Sequence, residues 1–213
     1  VGRSLSPRHN SYDTAANLYN ERFDRFGRDL RTVGWGSRAD QALRFDVLFR
    51  GLDPSGKTIL DVGCGLGDLI PFLQERTSGN FCYIGIDIAE RLVEDARKLY
   101  GGEDRLFFHG DIFMTDLPRV DISVLSGALS LRFKGISVYA KQTLERMYAL
   151  SKEAACLNFL STYADYQLKK NKHYKPEEIL TWGIRTAQNV NLYHDYPLYE
   201  FTIQLLRRKD IKK

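Results

Sequence analysis

Three acidic residues follow a glycine-rich turn at a regular interval, and the arrangement points to a particular kind of ligand. Ile59-Leu60-Asp61-Val62-Gly63-Cys64-Gly65-Leu66-Gly67 joins an apolar run to a helical one. Glycine at alternate positions removes Cβ atoms where a ligand must approach the main chain closely. The start of the following helix would ordinarily favour an anion, but Asp68 stands there. The dinucleotide fingerprint G-x-G-x-x-G needs glycine or alanine at that position. With Asp61, two carboxylates flank the turn. They suit a ligand carrying positive charge, such as a sulfonium with an α-ammonium, better than a pyrophosphate.

Asp87 closes Tyr83-Ile84-Gly85-Ile86-Asp87, 24 residues after Gly63, and Asp111 closes Phe108-His109-Gly110-Asp111, 24 residues after Asp87. A carboxylate at the second strand tip can accept from both hydroxyls of a ribose, and one at the third can accept from an adenine amino group. The interval is that of one βα unit. Successive strand ends would therefore bring Asp61 with Gly63, then Asp87, then Asp111 to one edge of a sheet.

A regular alternation of elements must carry these residues. Lys57–Val62, Phe81–Ile86, Arg105–His109, Asp121–Leu125 and Ala154–Leu160 read as short strands. Asp68–Arg76, Glu90–Tyr100, Val138–Leu150 and Pro176–Thr186 read as helices, the last with Pro176 in its first turn. Val190–His194 and Glu200–Leu206 are two more strands around a turn at Pro197. The pattern predicts an open α/β fold, a mostly parallel sheet with helices on both faces, and the closeness of the last two strands predicts an antiparallel edge. Ahead of the first strand, Thr14–Phe26 and Arg38–Arg50 have apolar residues at helical spacing. Val33-Gly34-Trp35-Gly36-Ser37 reads as a loop between them, with Ser37 able to cap the second helix.

The chain of 213 residues is 43% hydrophobic and 27% charged, an ordinary balance in the size range of one domain. No window approaches the ~18 uninterrupted apolar residues of a membrane span. The start, Val1 to Pro7, lacks the apolar region of a secretory signal. Cys64, Cys82 and Cys156 stand apart with no C-x-x-C pair, which argues against a zinc site or disulfide framework and predicts a cytoplasmic setting. His9, His109, His173 and His194 show no metal-ligand spacing. The net charge of +4 is too mild to imply nucleic acid. Its distribution is uneven: residues 1–50 carry +3, residues 51–162 carry −3 and residues 163–213 carry +4. Basic flanks can draw an anionic partner; solvated lysines and arginines on helix faces are the other reading.

The segments LDVGCGLGDL, YIGIDIAE, HGDIF and VDISVLSG, in their order and spacing over residues 57–162, resemble the class I S-adenosylmethionine-dependent methyltransferases. VGWGSRADQALRF, LNFLST and HDYPLYEFT resemble a small bacterial-type subgroup of that family. The resemblance implies a Rossmann-like sandwich with seven strands in the order 3-2-1-4-5-7-6, strand 7 antiparallel. It implies a single methyltransferase domain over residues 1–213: a helical lid over 1–52, a cofactor core over 57–162, and a substrate-side loop, helix and hairpin over 163–213. S-adenosylmethionine would be the cofactor and S-adenosylhomocysteine the product. Gly63, Gly65 and Gly67 would line the methionine portion, and Asp61 would brace the turn or meet the ammonium group. Asp87 would hold the ribose hydroxyls, with Ile88 on the adenine and Asp111 and Ile112 at its edge. Ser126 would sit beneath the sulfonium. From the lid, Trp35 would stack near the cofactor and Arg44 would pair its carboxylate. Leu125-Ser126-Gly127-Ala128 stands where enzymes methylating bases or glutamine often carry an N-P-P-Y type tetrapeptide, which weakens those substrates.

Methyl transfer from a sulfonium is an in-line displacement that asks mainly for alignment and exclusion of water. A hydroxyl acceptor also gains from a general base, worth roughly 10²–10⁴-fold. His194, in the turn His194-Asp195-Tyr196-Pro197, is the candidate base; a histidine bonded within the hairpin is the alternative. Tyr19, Tyr163, His173, Asp195 and Tyr196 are candidate substrate contacts. Asp195 also reads as a turn former, Tyr19 as helix core, and His173, among lysines, as an exposed residue. Tyr12 is a further lid candidate, His109 reads as structural and Cys64 as packing. The expected reaction is methylation of an oxygen or nitrogen atom of a small, anion-bearing metabolite, without metal or membrane. RNA methylation and a non-catalytic protein binding cofactor and partner are the alternatives.

Overall fold

The computed structural model describes residues 7–208, with side chains from Thr14 onward. Helices α1 (Pro7–Phe26), α2 (Leu30–Val33) and α3 (Arg38–Leu48) precede the sheet. β1 (Lys57–Val62), α4 (Leu69–Thr77), β2 (Phe81–Asp87), α5 (Glu90–Tyr100) and β3 (Arg105–His109) form its first half. β4 (Val120–Leu125), α6 (Ile136–Leu150), β5 (Ser151–Leu160), α7 (Pro176–Thr186), β6 (Asn189–Tyr193) and β7 (Glu200–Leu206) complete it. The strand order is β3-β2-β1-β4-β5-β7-β6. β1 to β5 pair in parallel, whereas β7 runs antiparallel to both β5 and β6. Order and edge agree with the expectation from the sequence.

The two faces are sorted by the alternation of side chains along each strand. Leu60, Ile84 and Leu157 face one apolar layer with Leu144 and Met147 of α6. Ile59, Tyr83 and Cys156 face the other, with Phe45 of α3, Leu73 of α4 and Val93 of α5. Covered on both sides, parallel strands read as continuous apolar runs, which is why they were visible in the sequence. A third, smaller cluster joins Leu66, Ala89 and Leu92 to Tyr19, Phe23 and Val33, so that α1 and α2 lie over the glycine turn and α5. Arg28 fastens this layer: Nη1 donates to Leu66 O at 2.8 Å and Nη2 stands 2.6 Å from the Asp95 carboxylate.

Several boundaries differ from the sequence reading. α1 begins at Pro7, not Thr14, although the side chains of His9 and Tyr12 lie outside the described residues, as does the structure of the first six. α2 was not expected. Its four residues are held by the Asp29 carboxylate, which accepts from Arg31 N, and by Gly34 in the left-handed region, a local device too short for periodicity to reveal. Ser37 caps α3 as expected, accepting from Asp40 N at 3.0 Å. β5 starts at Ser151, three residues early, because the chain passes from α6 into the strand without a loop. Ser151 Oγ bonds Met147 O at 2.8 Å and Ser123 Oγ at 2.7 Å.

Candidate active site

The glycine turn leaves the end of β1 with Gly63, Gly65 and Gly67 all at positive φ (75°, 52° and 76°). Gly63 N and Cys64 N both donate to Ile86 O, at 2.8 and 3.1 Å, so the turn is sewn to the end of β2. A Cβ on Gly63 would stand 2.4 Å from Ala128 Cβ, which brings the segment after β4 against the turn. Asp61 lies beneath it, buried, accepting from the Tyr83 hydroxyl at 2.7 Å. Burial pushes its carboxyl up to about 7 against the lowering effect of that bond. Asp68 receives Gln41 Nε2 at 3.1 Å and so faces α3.

Asp87 is half-buried at the tip of β2, and its two oxygens accept from Gly65 N and Ala89 N, each at 2.8 Å. Burial still raises its pKa above the usual carboxylate value. A carboxylate offers about four acceptor positions, so both oxygens can take a further donor. Tyr19, expected at the substrate, stands instead near Asp87: burial and the Asp87 charge raise its hydroxyl pKa. The cause is the seat of α1, which packs Tyr19 on Leu66 and Leu92. Asp111, at the start of the turn after β3, accepts from Phe113 N at 2.8 Å and from the Tyr139 hydroxyl at 3.4 Å. Ile112 is buried and Ile88 half-buried, with His109 Nε2 3.2 Å from Ile88 O. Tyr139 was missed; it belongs to α6, and its ring meets Phe113 edge-on with centroids 5.6 Å apart.

The other half of the edge holds a closed circuit of contacts. Gly127 N donates to Asn158 Oδ1 at 2.7 Å, and Asn158 Nδ2 donates to Glu200 at 3.3 Å. Glu200 accepts from Arg44 Nε, the Arg44 guanidinium lies 3.9 Å from the Trp35 ring centroid, and a Cβ on Gly127 would stand 2.9 Å from that ring. Arg44, expected on a cofactor carboxylate, is thus paired inside the protein, because Glu200 at the start of β7 sits opposite Leu160 at the end of β5. Its Nη1 is enclosed without a partner. Asn158 and Glu200 were missed; a polar residue within the apolar run of β5 and an acidic one at the head of β7 were the available signals.

Loops 126–135 and 161–175 are joined to each other and to the end of β5 by main-chain hydrogen bonds. Arg132 N donates to Lys170 O at 2.9 Å, Lys172 N to Ser130 O at 2.8 Å and Tyr174 N to Leu160 O at 2.8 Å. These bonds correct the reading of His173 as exposed: its segment is drawn inward and the residue is 8% accessible. Ser126 Oγ, at the tip of β4, is enclosed without a hydrogen-bond partner.

Three other substrate candidates are disposed less favourably. Tyr196 is turned inward, its hydroxyl 2.9 Å from Thr202 Oγ1. Asp195 is held by Arg50 Nη1, 2.9 Å from both oxygens, which keeps its carboxyl below the usual range. Tyr163 is exposed and donates to Glu177. His194 is exposed, its ring edge against Phe201 with centroids 5.9 Å apart. Among the described residues no group of histidine, cysteine and acidic side chains is placed to hold a metal ion.

A family model described as a methyltransferase domain matches residues 59–153. A Mycobacterium tuberculosis protein, Rv1506c, by name a methyltransferase, is 30% identical over 154 residues, covering 68% of this chain and 90% of that one. A stretch of 64 residues is 44% identical to an mRNA cap guanine-N7 methyltransferase of Schizosaccharomyces pombe, covering 28% of this chain and 17% of that protein. Magnesium protoporphyrin IX methyltransferase of Synechocystis PCC 6803 with bound S-adenosylhomocysteine superposes with a TM-score of 0.68 at 17% identity, covering 92% of this chain and 99% of that one. With bound S-adenosylmethionine the score is 0.67 at 18% identity, over 98% and 100%. At that identity the likeness is one of fold.

Proposed function

The chain belongs to the class I S-adenosylmethionine-dependent methyltransferases, and from that premise we propose that it methylates an oxygen or nitrogen atom of a small, anion-bearing metabolite. S-adenosylmethionine supplies an activated methyl group on a sulfonium, so the chain itself has to bind, orient and exclude water. The residues fit the cofactor. Gly63 and Gly65 offer main chain without Cβ atoms, Asp87 retains acceptor positions for ribose hydroxyls, and the enclosed Ser126 hydroxyl lacks a partner beside them. Ile88, Asp111 and Ile112 would receive the adenine, with Tyr19 over the ribose side.

The observation that carries the small-substrate reading is the closure of the acceptor half. Two loops joined by main-chain hydrogen bonds, and an aromatic and an arginine held by the Gly127–Asn158–Glu200 contacts, surround the tips of β4 and β5. Such an enclosure suits a metabolite better than a polymer. The short stretch shared with the yeast cap methyltransferase, and exposed Tyr166 beside Lys169 and Lys170, support RNA as the second reading. Methyl-tritiated S-adenosylmethionine offered with hydroxylated and aminated acids, sugar phosphates and a short capped RNA separates the two. The proposal expects label in a small acid or phosphate ester with weak salt dependence. Label in RNA alone, with affinity falling steeply as salt rises, would reverse it.

A further inference from the structure

His173 occupies a position that neither its sequence context nor its neighbours' charge foretold. Residues 171–174 are bonded on two sides. Lys172 N to Ser130 O (2.8 Å) and the Tyr174 hydroxyl to Leu129 O (3.0 Å) tie the segment to the chain leaving β4. Tyr174 N to Leu160 O (2.8 Å) ties it to the tip of β5. Tyr174 is in turn wedged against Phe159, with ring centroids 4.9 Å apart. His173 is therefore fixed between the ends of β4 and β5, on the half of the edge away from Asp87 and Asp111. An acceptor must lie there if the methyl group is presented over the glycine turn.

The imidazole is buried, and its Nδ1 is enclosed with no hydrogen-bond partner. Buried polar atoms in folded proteins are nearly always paired, and an exception asks for a reason. Burial and the charge of Arg132 both disfavour protonation, while the backbone of Asn171 opposes them in part. Both favour the neutral ring, the state in which a nitrogen lone pair can take a proton. His194, the base suggested by the sequence, is exposed, with its ring set edge-on against Phe201.

We propose that His173 is the general base of the transfer and that the acceptor atom is a hydroxyl oxygen. The inference rests on the methyl-transfer reading and selects its oxygen branch. In the step, a bond forms between the acceptor oxygen and the methyl carbon, and the methyl–sulfur bond breaks with its electron pair kept by sulfur. The hydroxyl proton passes to Nδ1 and leaves to solvent after product release. The positive charge of the sulfonium is thereby exchanged for that of an imidazolium, and the acceptor remains neutral at oxygen.

The test uses the full chain saturated with S-adenosylmethionine. Wild type, H173Q and H173N are assayed for S-adenosylhomocysteine release on phenols of graded acidity and on matched primary amines. Wild type should methylate phenols. H173Q should lower kcat on weakly acidic phenols by roughly 10²–10⁴-fold and leave the cofactor Kd unchanged. The loss should shrink toward pentafluorophenol, which is already ionised near neutral pH and has no proton to surrender. A structural role would not produce that gradient. An equal loss across the series, a loss carried by cofactor affinity, or wild type that binds cofactor but methylates no phenol would overturn the proposal. Nitrogen-15 NMR of the wild-type ring, which needs no acceptor, should find Nδ1 unprotonated at neutral pH; a proton on it would overturn the proposal as well. Failure of the chain to bind S-adenosylmethionine would strike the methyl-transfer reading itself, a distinguishable result.

Discussion

At the scale of single residues, Asp87 joins binding to local architecture. Its carboxylate fixes Gly65 and Ala89 through their amides and is the group proposed to hold the ribose hydroxyls. Asp87→Ala should weaken S-adenosylhomocysteine by at least ~100-fold by calorimetric titration, and should lower stability by about 1–3 kcal/mol as two amides lose their acceptor. Unchanged affinity would remove Asp87 from the ribose site. Asp61 makes a pH prediction. Its folded pKa of about 7 lies above the ordinary aspartate value of 3.8, so between those values the folded state holds a proton that the unfolded state has released. This contribution is complete below about pH 4 and is lost as pH rises through about 7. Asp61→Asn should therefore flatten the fall in Tm between about pH 4 and 8; an identical slope in both proteins would contradict the assignment. The acidic residues were legible because the motif displays them at strand ends. Asn158 and Glu200 were not, because their meaning depends on a partner, Arg44, 156 residues from Glu200.

At the scale of elements, the β4–β5–β7 half of the edge is held by joints between segments distant in sequence. Arg44 is half-buried and Glu200 buried, at 12% and 3% side-chain exposure. Removing one partner of such a pair leaves an uncompensated charge, at a cost of roughly 3–5 kcal/mol. Glu200→Ala should show that loss in urea unfolding, whereas the double change Arg44→Met with Glu200→Leu should lose much less. Equal losses would mean that the pair is not coupled. The N-terminal helices give a second prediction. Arg28→Ala removes the contacts to Leu66 O and Asp95. Limited proteolysis should then cut α1 and α2 faster while the cooperative melt of the sheet barely shifts; an unchanged cleavage rate would contradict the anchoring role. Strands and long helices were legible through periodicity and buried runs. The inward course of residues 171–174 was not, since lysines on either side of His173 imitate a solvated loop and the bonds that draw it in are made by main chain.

At the scale of the whole molecule, the order β3-β2-β1-β4-β5-β7-β6 divides one edge into two halves. The glycine turn, Asp87 and Asp111 lie on one half and Asn158, His173 and Glu200 on the other, with Ser126, at the tip of β4 next to β1, between them. In the proposed reaction the first half would hold the methyl donor and the second the acceptor, since the two must approach in line from opposite sides of the moving carbon. No helix among the described residues is long and apolar enough to cross a membrane. Residues 1–50 and 163–213 carry +3 and +4; if the acceptor is anionic, as proposed, these flanks would attract it, an effect that salt should weaken only modestly for a small ligand.

The most direct measurement is titration of the wild-type chain with S-adenosylhomocysteine, followed by structure determination of the complex. The expected result is saturable binding, a stabilisation of about 2.7 kcal/mol at 100-fold excess over Kd, and a nucleoside lying between Gly63, Asp87 and Asp111. Stabilisation by NAD alone, or a crystal in which that crevice stays empty beside saturating nucleoside, would contradict it.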